Sequence, residues 1–194
     1  EVTHSDGNLS TCLKVESVST RQEPSAKVTV IRMKDTAYPF YVNVCYRAYE
    51  DVDMIETWTE IENREKKPVK LTRFDSGSIP VRYGNVWLTH LAGSANNEGR
   101  LIQEPLERGM LVLRNKDGVR NTHTDHPEVM FSLDGKPLEH TGQVIGAALC
   151  YSGNYELRVH THQGSYHEFY AGINPDNSAY TLEPKEIFTT PVLA

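Results

Sequence analysis

Phe40-Tyr-Val-Asn-Val-Cys-Tyr-Arg-Ala-Tyr49 alternates with a period of two. Phe40, Val42, Val44, Tyr46 and Ala48 fall on one side, and Tyr41, Asn43, Cys45, Arg47 and Tyr49 on the other. Successive side chains of a strand point to opposite faces, so this run predicts a strand and not a helix. The next run, Met54 to Glu62, puts Ile55, Thr57, Thr59 and Ile61 on one face, and Val69 to Phe74 alternates again. Short polar connections, Glu50-Asp51-Val52-Asp53 and Asn63 to Pro68, separate the three. Such a series predicts an antiparallel meander, because buried parallel strands read as continuous apolar runs.

The second half has the same style. Strands are predicted over Gly109 to Arg114, Glu128 to Leu133, Gln143 to Tyr151, Tyr155 to Thr161 and Ser165 to Ala171. Their separators, Asn115-Lys116-Asp117-Gly118, Asp134-Gly135-Lys136-Pro137, Ser152-Gly153-Asn154 and Gln163-Gly164, are turn formers, since Gly and Asn tolerate positive φ and Pro fixes it. The best helix candidate is Glu98 to Arg108, interrupted by Pro105. With no internal repeat and no break in composition, the economical expectation is one domain over residues 1–194. It would be an all-β chain of two packed antiparallel sheets, a large sandwich in preference to a small barrel.

At 194 residues the chain is long enough to bury a sizeable core. A net charge of −6 with well-mixed charges leaves no basic footprint for nucleic acid. The densest cationic cluster, Arg64, Lys66 and Lys67, sits beside Glu62 and Glu65 and reads as a solvated turn. No apolar run approaches the roughly 18 residues of a membrane helix, and no signal-peptide pattern is visible. The sequence begins at Glu1 and not at a methionine, which leads to the expectation of a piece of a longer protein. Cys12, Cys45 and Cys150 form no close pair, and Cys45 and Cys150, in apolar strand patterns, are expected to be buried thiols.

Candidate chemistry is thin. His160 and His162, two apart, share a strand face, and His167 and Glu168 follow a turn, which resembles a cupin metal box in outline. The spacing departs from it: Gly153 precedes His160 by one residue too many, and five residues separate His162 from Glu168. His123, Asp125 and His126 crowd a loop before Pro127. In both places exposed polar residues are the plainer expectation. Ser76-Gly77-Ser78 lacks the nucleophile-elbow pattern, and no glycine-rich phosphate loop occurs. Glu56, Glu60 and Glu62 share a strand face, which suits acid–base work but equally the wet side of a sheet. Trp58 and Trp87, with Tyr38, Tyr41, Tyr46 and Tyr49, offer aromatic surface for a sugar.

Five segments in order go beyond a generic sheet: Asp53-Met-Ile-Glu-Thr-Trp-Thr-Glu-Ile-Glu-Asn63; Trp87-Leu-Thr-His-Leu-Ala-Gly-Ser94 with Asn97-Glu98; Tyr151-Ser-Gly-Asn154; Gly172-Ile-Asn-Pro175; and Leu182-Glu-Pro-Lys-Glu-Ile-Phe-Thr-Thr-Pro191. Together they resemble the N-terminal domain of family 36 glycoside hydrolases, chiefly bacterial α-galactosidases. The resemblance implies an antiparallel β-supersandwich similar to galactose mutarotase. It also implies that the earliest family strands precede Glu1, and that a catalytic (β/α)₈ barrel follows Phe188 to Ala194. The implied activity is retaining hydrolysis of terminal, non-reducing α-galactosides by two carboxylates of that barrel. No Lys-Trp-Asp strand end of the family type occurs here, so no catalytic, metal or cofactor residue is assigned to this chain. Implied partners are the α-galactoside substrate, the barrel and, in the parent, further copies in a homo-oligomer; nucleic acid and membrane are not expected. Ala95 stands where the family often has tryptophan, which implies a different packing at that point.

Three functions fit these residues. The first is the accessory domain of an α-galactosidase, inactive by itself. The second is a mutarotase-like sugar enzyme, with His90, His160 and Glu168 as players. The third is a carbohydrate-binding module anchored on Trp58 and Trp87.

Overall fold

The computed structural model describes residues 1–120, 125–162, 164 and 166–194. Sixteen strands and no helix occur among them, and every strand pairing given by register is antiparallel. The expected all-β, antiparallel class is therefore the one observed. Where two sheets were expected, the described residues form four, distributed over two compact units.

The first unit comprises Glu1–Gly77 and Pro175–Ala194. It holds β1 (Val2–Thr3), β2 (Leu13–Glu23), β3 (Ala26–Asp35), β4 (Phe40–Tyr49), β5 (Ile55–Asn63) and β6 (Val69–Leu71). In this unit, too, lie β15 (Tyr180–Leu182) and β16 (Ile187–Thr189). The five-stranded sheet runs β16-β5-β4-β3-β2, and a three-stranded sheet runs β1-β6-β15. The predicted β4–β5 hairpin is present, with Cys45 opposite Trp58 and Phe40 opposite Asn63. The third strand of the expected meander is not. β6 stops at Leu71 and turns away to pair with β1 and β15, leaving β16 to pair with β5. Alternation marks a strand but does not name its neighbour, which is why the topology escapes a local reading.

Burial along β4 changes side: Phe40 and Val42 are buried at one end, Cys45 further on. Cys45 packs with Val28 and Trp58, and Val30 and Val192 close over them. Burial pushes the Cys45 thiol up to about 11, with the nearby Glu60 adding to it. Cys150 departs from expectation. β12 ends two residues before it, Leu149 takes the buried position, and Cys150 is exposed.

The second unit, Ser78–Asn174, holds β8 (Trp87–Ala92), β9 (Arg100–Pro105), β10 (Gly109–Arg114) and β11 (Asp125–Ser132). With them are β12 (Val144–Ala148), β13 (Tyr155–His162) and β14 (Tyr166–Ile173), and β7 (Asp75–Arg82) enters from the boundary. Its sheets are β10-β13-β14-β7 and β12-β11-β8-β9. Phe169 of the first meets Phe131 of the second edge to face at 5.3 Å, among buried Leu88, Leu157 and Val159. The helix expected near 98–108 is instead β9, paired with β8 from Trp87↔Pro105 to Ala92↔Arg100. Pro105 has no amide to give a helix, but at the end of an edge strand it costs no ladder bond. The hairpin turns tightly: a Cβ on Gly93 would lie 2.9 Å from the Glu98 Cα, so only glycine fits there.

Candidate functional site

β13 pairs with β14 in the register His162↔Tyr166, His160↔Glu168 and Arg158↔Tyr170. Side chains alternate across a sheet, so the even-numbered residues of both strands share one face and the odd-numbered ones the other. The odd face carries Leu157, Val159, Phe169 and Ala171 into the core. The even face brings together His160, His162, Tyr166, Glu168 and Tyr170. His162 Nε2 lies 3.2 Å from Glu168 Oε2, and Ser78 of β7 donates from Oγ to Glu168 Oε1 at 3.0 Å. The His160 and His162 rings are 4.1 Å apart, and Tyr166 stacks on His162 at 4.5 Å. The Arg158 guanidinium lies 4.4 Å over the Tyr170 ring.

Hydrogen bonding from Tyr170, and then from Ser78 and His162, holds Glu168 below the usual carboxylate range despite partial burial. Burial, reinforced by the bond to Glu168, pushes the Tyr170 hydroxyl up to about 12. The carboxylate is thus a fixed anion with three donors on it.

His167 belongs to the opposite face. It is fully buried, with Nδ1 3.0 Å from Thr161 Oγ1 and its ring 5.6 Å from that of Tyr83, and burial lowers its pKa. The cupin-like grouping is therefore split by parity. Among the described residues no three His, Cys, Asp or Glu side chains are arranged to hold a metal ion. The mutarotase trio is divided as well. His90 sits on β8, in the other sheet of this unit, 3.3 Å from Glu104 and 3.5 Å from Asp125. Of the residues expected in a loop before Pro127, His123 lies outside the described residues, while Asp125 and His126 belong to β11, with His126 Nδ1 3.5 Å from Glu128.

In the first unit, Glu56, Trp58, Glu60 and Glu62 do share a face of β5, and each polar group is already engaged. Arg47 binds Glu56 at 2.7 Å and Glu23 at 3.1 Å. Asn43 donates to Glu60 at 3.0 Å, as does Trp58 Nε1 at 3.2 Å. Arg32 binds Glu62 at 2.9 Å. Burial raises the Glu62 pKa, but Arg64 and Arg32 outweigh it and the net shift is downward. A general acid needs the reverse. Trp58 is only 9% exposed and lies under the Arg47 guanidinium, so it is a core residue and not a sugar platform. Trp87, half-buried, is capped by Lys136 at 5.8 Å and bonds Asn85 Oδ1 at 3.1 Å. Ser76 is fully buried.

The sequence reading names His160, His162 and Glu168 but misses Tyr166, Tyr170 and Ser78. For the two tyrosines a sequence signal is lacking: a two-residue Gln163-Gly164 turn would pair 162 with 165 and bring His167 to this face, and only the register His162↔Tyr166 places 166, 168 and 170 beside 160 and 162. Ser78 has none either, because its strand reaches this sheet through a long-range pairing.

The distinctive motifs turn out to be braces. Asn63 is fully buried and donates from Nδ2 to the carbonyls of Lys67 at 3.1 Å and Leu182 at 2.9 Å, while its Oδ1 accepts from the Glu65 amide at 2.9 Å. Asn154 Oδ1 accepts from the Gly118 amide at 2.7 Å, and Asn174 Nδ2 donates to the Asn115 carbonyl at 3.1 Å. A Cβ on Gly153 would fall 2.6 Å from the Tyr151 ring, so the tyrosine packs where only glycine allows it.

Comparison with known proteins agrees with this frame. The profile of the glycosyl hydrolase family 36 N-terminal domain matches residues 1–183. The chain is 28% identical over 169 residues to α-galactosidase AgaA of Geobacillus stearothermophilus, covering 87% of this chain and 23% of that one. To α-galactosidase Mel36A of Lactobacillus acidophilus it is 26% identical over 172 residues, covering 89% of this chain and again 23% of the relative. The chain thus spans less than a quarter of the length of these relatives. The crystal structure of AgaA superposes with a TM-score of 0.91 at 24% identity, over 99% of this chain and 29% of that one, and so shares its fold. Doubly substituted variants of AgaA have also been crystallised with stachyose and with raffinose. On the match over residues 1–183, the chain belongs to the glycosyl hydrolase family 36 N-terminal domain family.

Proposed function

We propose that this chain is the accessory N-terminal domain of a retaining α-galactosidase, and that hydrolysis takes place on a catalytic barrel elsewhere in the parent protein. The observation that carries the proposal is the family match over residues 1–183. It is supported by relatives that are α-galactosidases and of which the chain spans 23%. Retention needs two carboxyls about 5–5.5 Å apart, one ionised for attack on C1 and one kept protonated to donate to the leaving oxygen. Two of the carboxyls that the sequence singles out, Glu62 and Glu168, do not fit the second part. Glu62 is clamped by arginines and Glu168 by three donors, and both shifts favour the anion.

The substrates assigned to the parent are galactose-capped oligosaccharides of the kind crystallised with the AgaA variants. The domain's role is to flank the barrel and contribute to assembly of a homo-oligomer. The test is p-nitrophenyl-α-galactoside hydrolysis by this chain and by the full-length parent. Turnover by the parent alone is expected. Turnover by this chain alone would sink the proposal, as would a parent inactive on every α-galactoside.

A further inference from the structure

The even face of β13 and β14 has chemistry that the proposed hydrolysis leaves unused. Glu168 sits at its centre as an anion receiving Ser78, His162 and Tyr170. His162 lies between the rings of His160 and Tyr166, and Tyr166 stands at the rim, 37% exposed. The side chains of His162 and Glu168 remain 33% and 22% exposed, so a ligand can reach them from solvent.

Several ligand classes are excluded by this arrangement. An anion would meet the Glu168 carboxylate. A catalytic acid and base must flank a sugar ring from two sides, whereas His162 and Glu168 are bonded to each other at 3.2 Å and offer one joint edge. A neutral polyhydroxylated ligand fits. With three of its roughly four acceptor positions filled, the Glu168 carboxylate accepts from one further hydroxyl, the His162 imidazole donates or accepts at its other nitrogen, and an aromatic ring takes the carbon–hydrogen face of a pyranose. Galactose suits it best among common hexoses. Its axial 4-hydroxyl lies cis to the 3-hydroxyl, giving one adjacent pair for the joint His162–Glu168 edge, and it clears the opposite face of the ring for stacking.

We propose that Ser78, His160, His162, Tyr166, Glu168 and Tyr170 form a non-catalytic binding site for the terminal galactose of an oligosaccharide. Tyr166 carries the stacking face, and Glu168 and His162 hold the 3- and 4-hydroxyls. The choice of galactoside rests on the proposed function; the site itself rests on the geometry.

The experiment is a titration of this chain, isotopically labelled, with raffinose, followed by backbone amide and histidine ring signals. Saturable shifts confined to Ser78 and to residues 158–170 are expected, with no comparable response to maltotriose, which carries only glucose. Tyr166→Ala and Glu168→Gln should each weaken binding about tenfold, the scale of one aromatic stack or one charge-assisted hydrogen bond. Unchanged amide signals outside the face establish that each variant is folded, and Ser78→Ala, at an exposed position, should lose binding severalfold without touching the core. Absence of saturable shifts, shifts elsewhere, or an equal response to maltotriose overturns the site. A parent that hydrolyses α-galactosides while this face stays silent loses the site and keeps the α-galactosidase assignment. A face that binds raffinose in a chain whose parent is inactive keeps the site and loses that assignment.

Discussion

Replacing Asn63 by aspartate changes one atom's worth of shape and reverses the polarity of a buried contact. The amide nitrogen that donates to Lys67 O at 3.1 Å and Leu182 O at 2.9 Å becomes an oxygen facing two carbonyls. The other side-chain oxygen keeps the Glu65 amide. If the new acid is protonated it can still donate to one carbonyl, so one bond is lost, about 1–2 kcal/mol. If it ionises, both carbonyls are unpaired and repelled, and the cost rises to roughly 4 kcal/mol. The folded state therefore raises the pKa of this aspartate above the unfolded value of about 3.9. A raised carboxyl loses stability as pH climbs from the unfolded to the folded pKa, at about 1.4 kcal/mol per unit. N63D should thus be about 1–2 kcal/mol less stable than the parent chain at pH 4 and about 4 at pH 7. Asn63→Ala should cost a similar 3–4 kcal/mol at both, because nothing in it titrates. Urea unfolding followed by Trp58, in the same unit, measures both gaps. An aspartate variant within 0.5 kcal/mol of the parent at pH 7, or a gap independent of pH, would refute the brace.

Two further predictions follow from buried groups. Asp35, 2% exposed, accepts from the amides of Cys12 at 2.6 Å, Ala37 at 2.8 Å and Tyr38 at 3.0 Å. Burial alone would raise its pKa, but the amides of Ala37, Cys12 and Tyr38 outweigh it and the pKa is lowered. A depressed carboxyl stabilises fully above its unfolded pKa and ceases to as pH falls through the folded one. Asp35→Asn should therefore cost roughly 2 kcal/mol at pH 7 and converge on the parent in acid; equal urea midpoints at pH 7 would contradict this. For the thiols, Ellman's reagent should modify exposed Cys12 and Cys150 readily and Cys45 only in denaturant, since burial lifts the Cys45 thiol to about 11. Three thiols reacting at one rate would mean that the Cys45–Trp58 core is not closed.

What could be seen in the sequence was whatever depends on neighbours along the chain. β4, β5, β10, β13 and β14 announce themselves as β-prone runs set between turn formers. β2 does not: nearly every residue of Leu13–Glu23 is exposed, so neither side of Lys-Val-Glu-Ser-Val-Ser-Thr is apolar in step. β9 reads as a weak helix because Leu101, Ile102 and Leu106 mimic helical spacing; only the ladder supplied by β8 decides for a strand. The Cys150 error is of the same kind. An apolar run crosses the end of β12, and where a strand stops is set by its partner β11, whose register ends at Glu128↔Ala148. For the candidate site, residue types were legible and grouping was not, since whether His167 or Tyr166 joins His162 turns on a single residue of register.

The segments that betray the family are largely those that hold turns and chain ends together. Asn63 ties the end of β5 to the 182–186 tail, Asn154 and Asn174 lock the loops around β13 and β14, and Gly153 and Gly93 admit contacts no other residue permits. A buried asparagine with both amide ends satisfied is hard to replace, because any substitute strands a backbone group at a cost of about 1–3 kcal/mol. Core positions are looser: many combinations of Leu, Val and Phe fill the same volume. A domain of this family is therefore recognisable through its polar braces, and the braces carry architecture. This separates two questions that the motifs appear to join. Substituting the braces tests whether the chain folds as it does, while the even face of β13 and β14 can be altered at Tyr166 or Ser78 without touching any brace. A loss of sugar binding there, with urea stability intact, would have to be read as function.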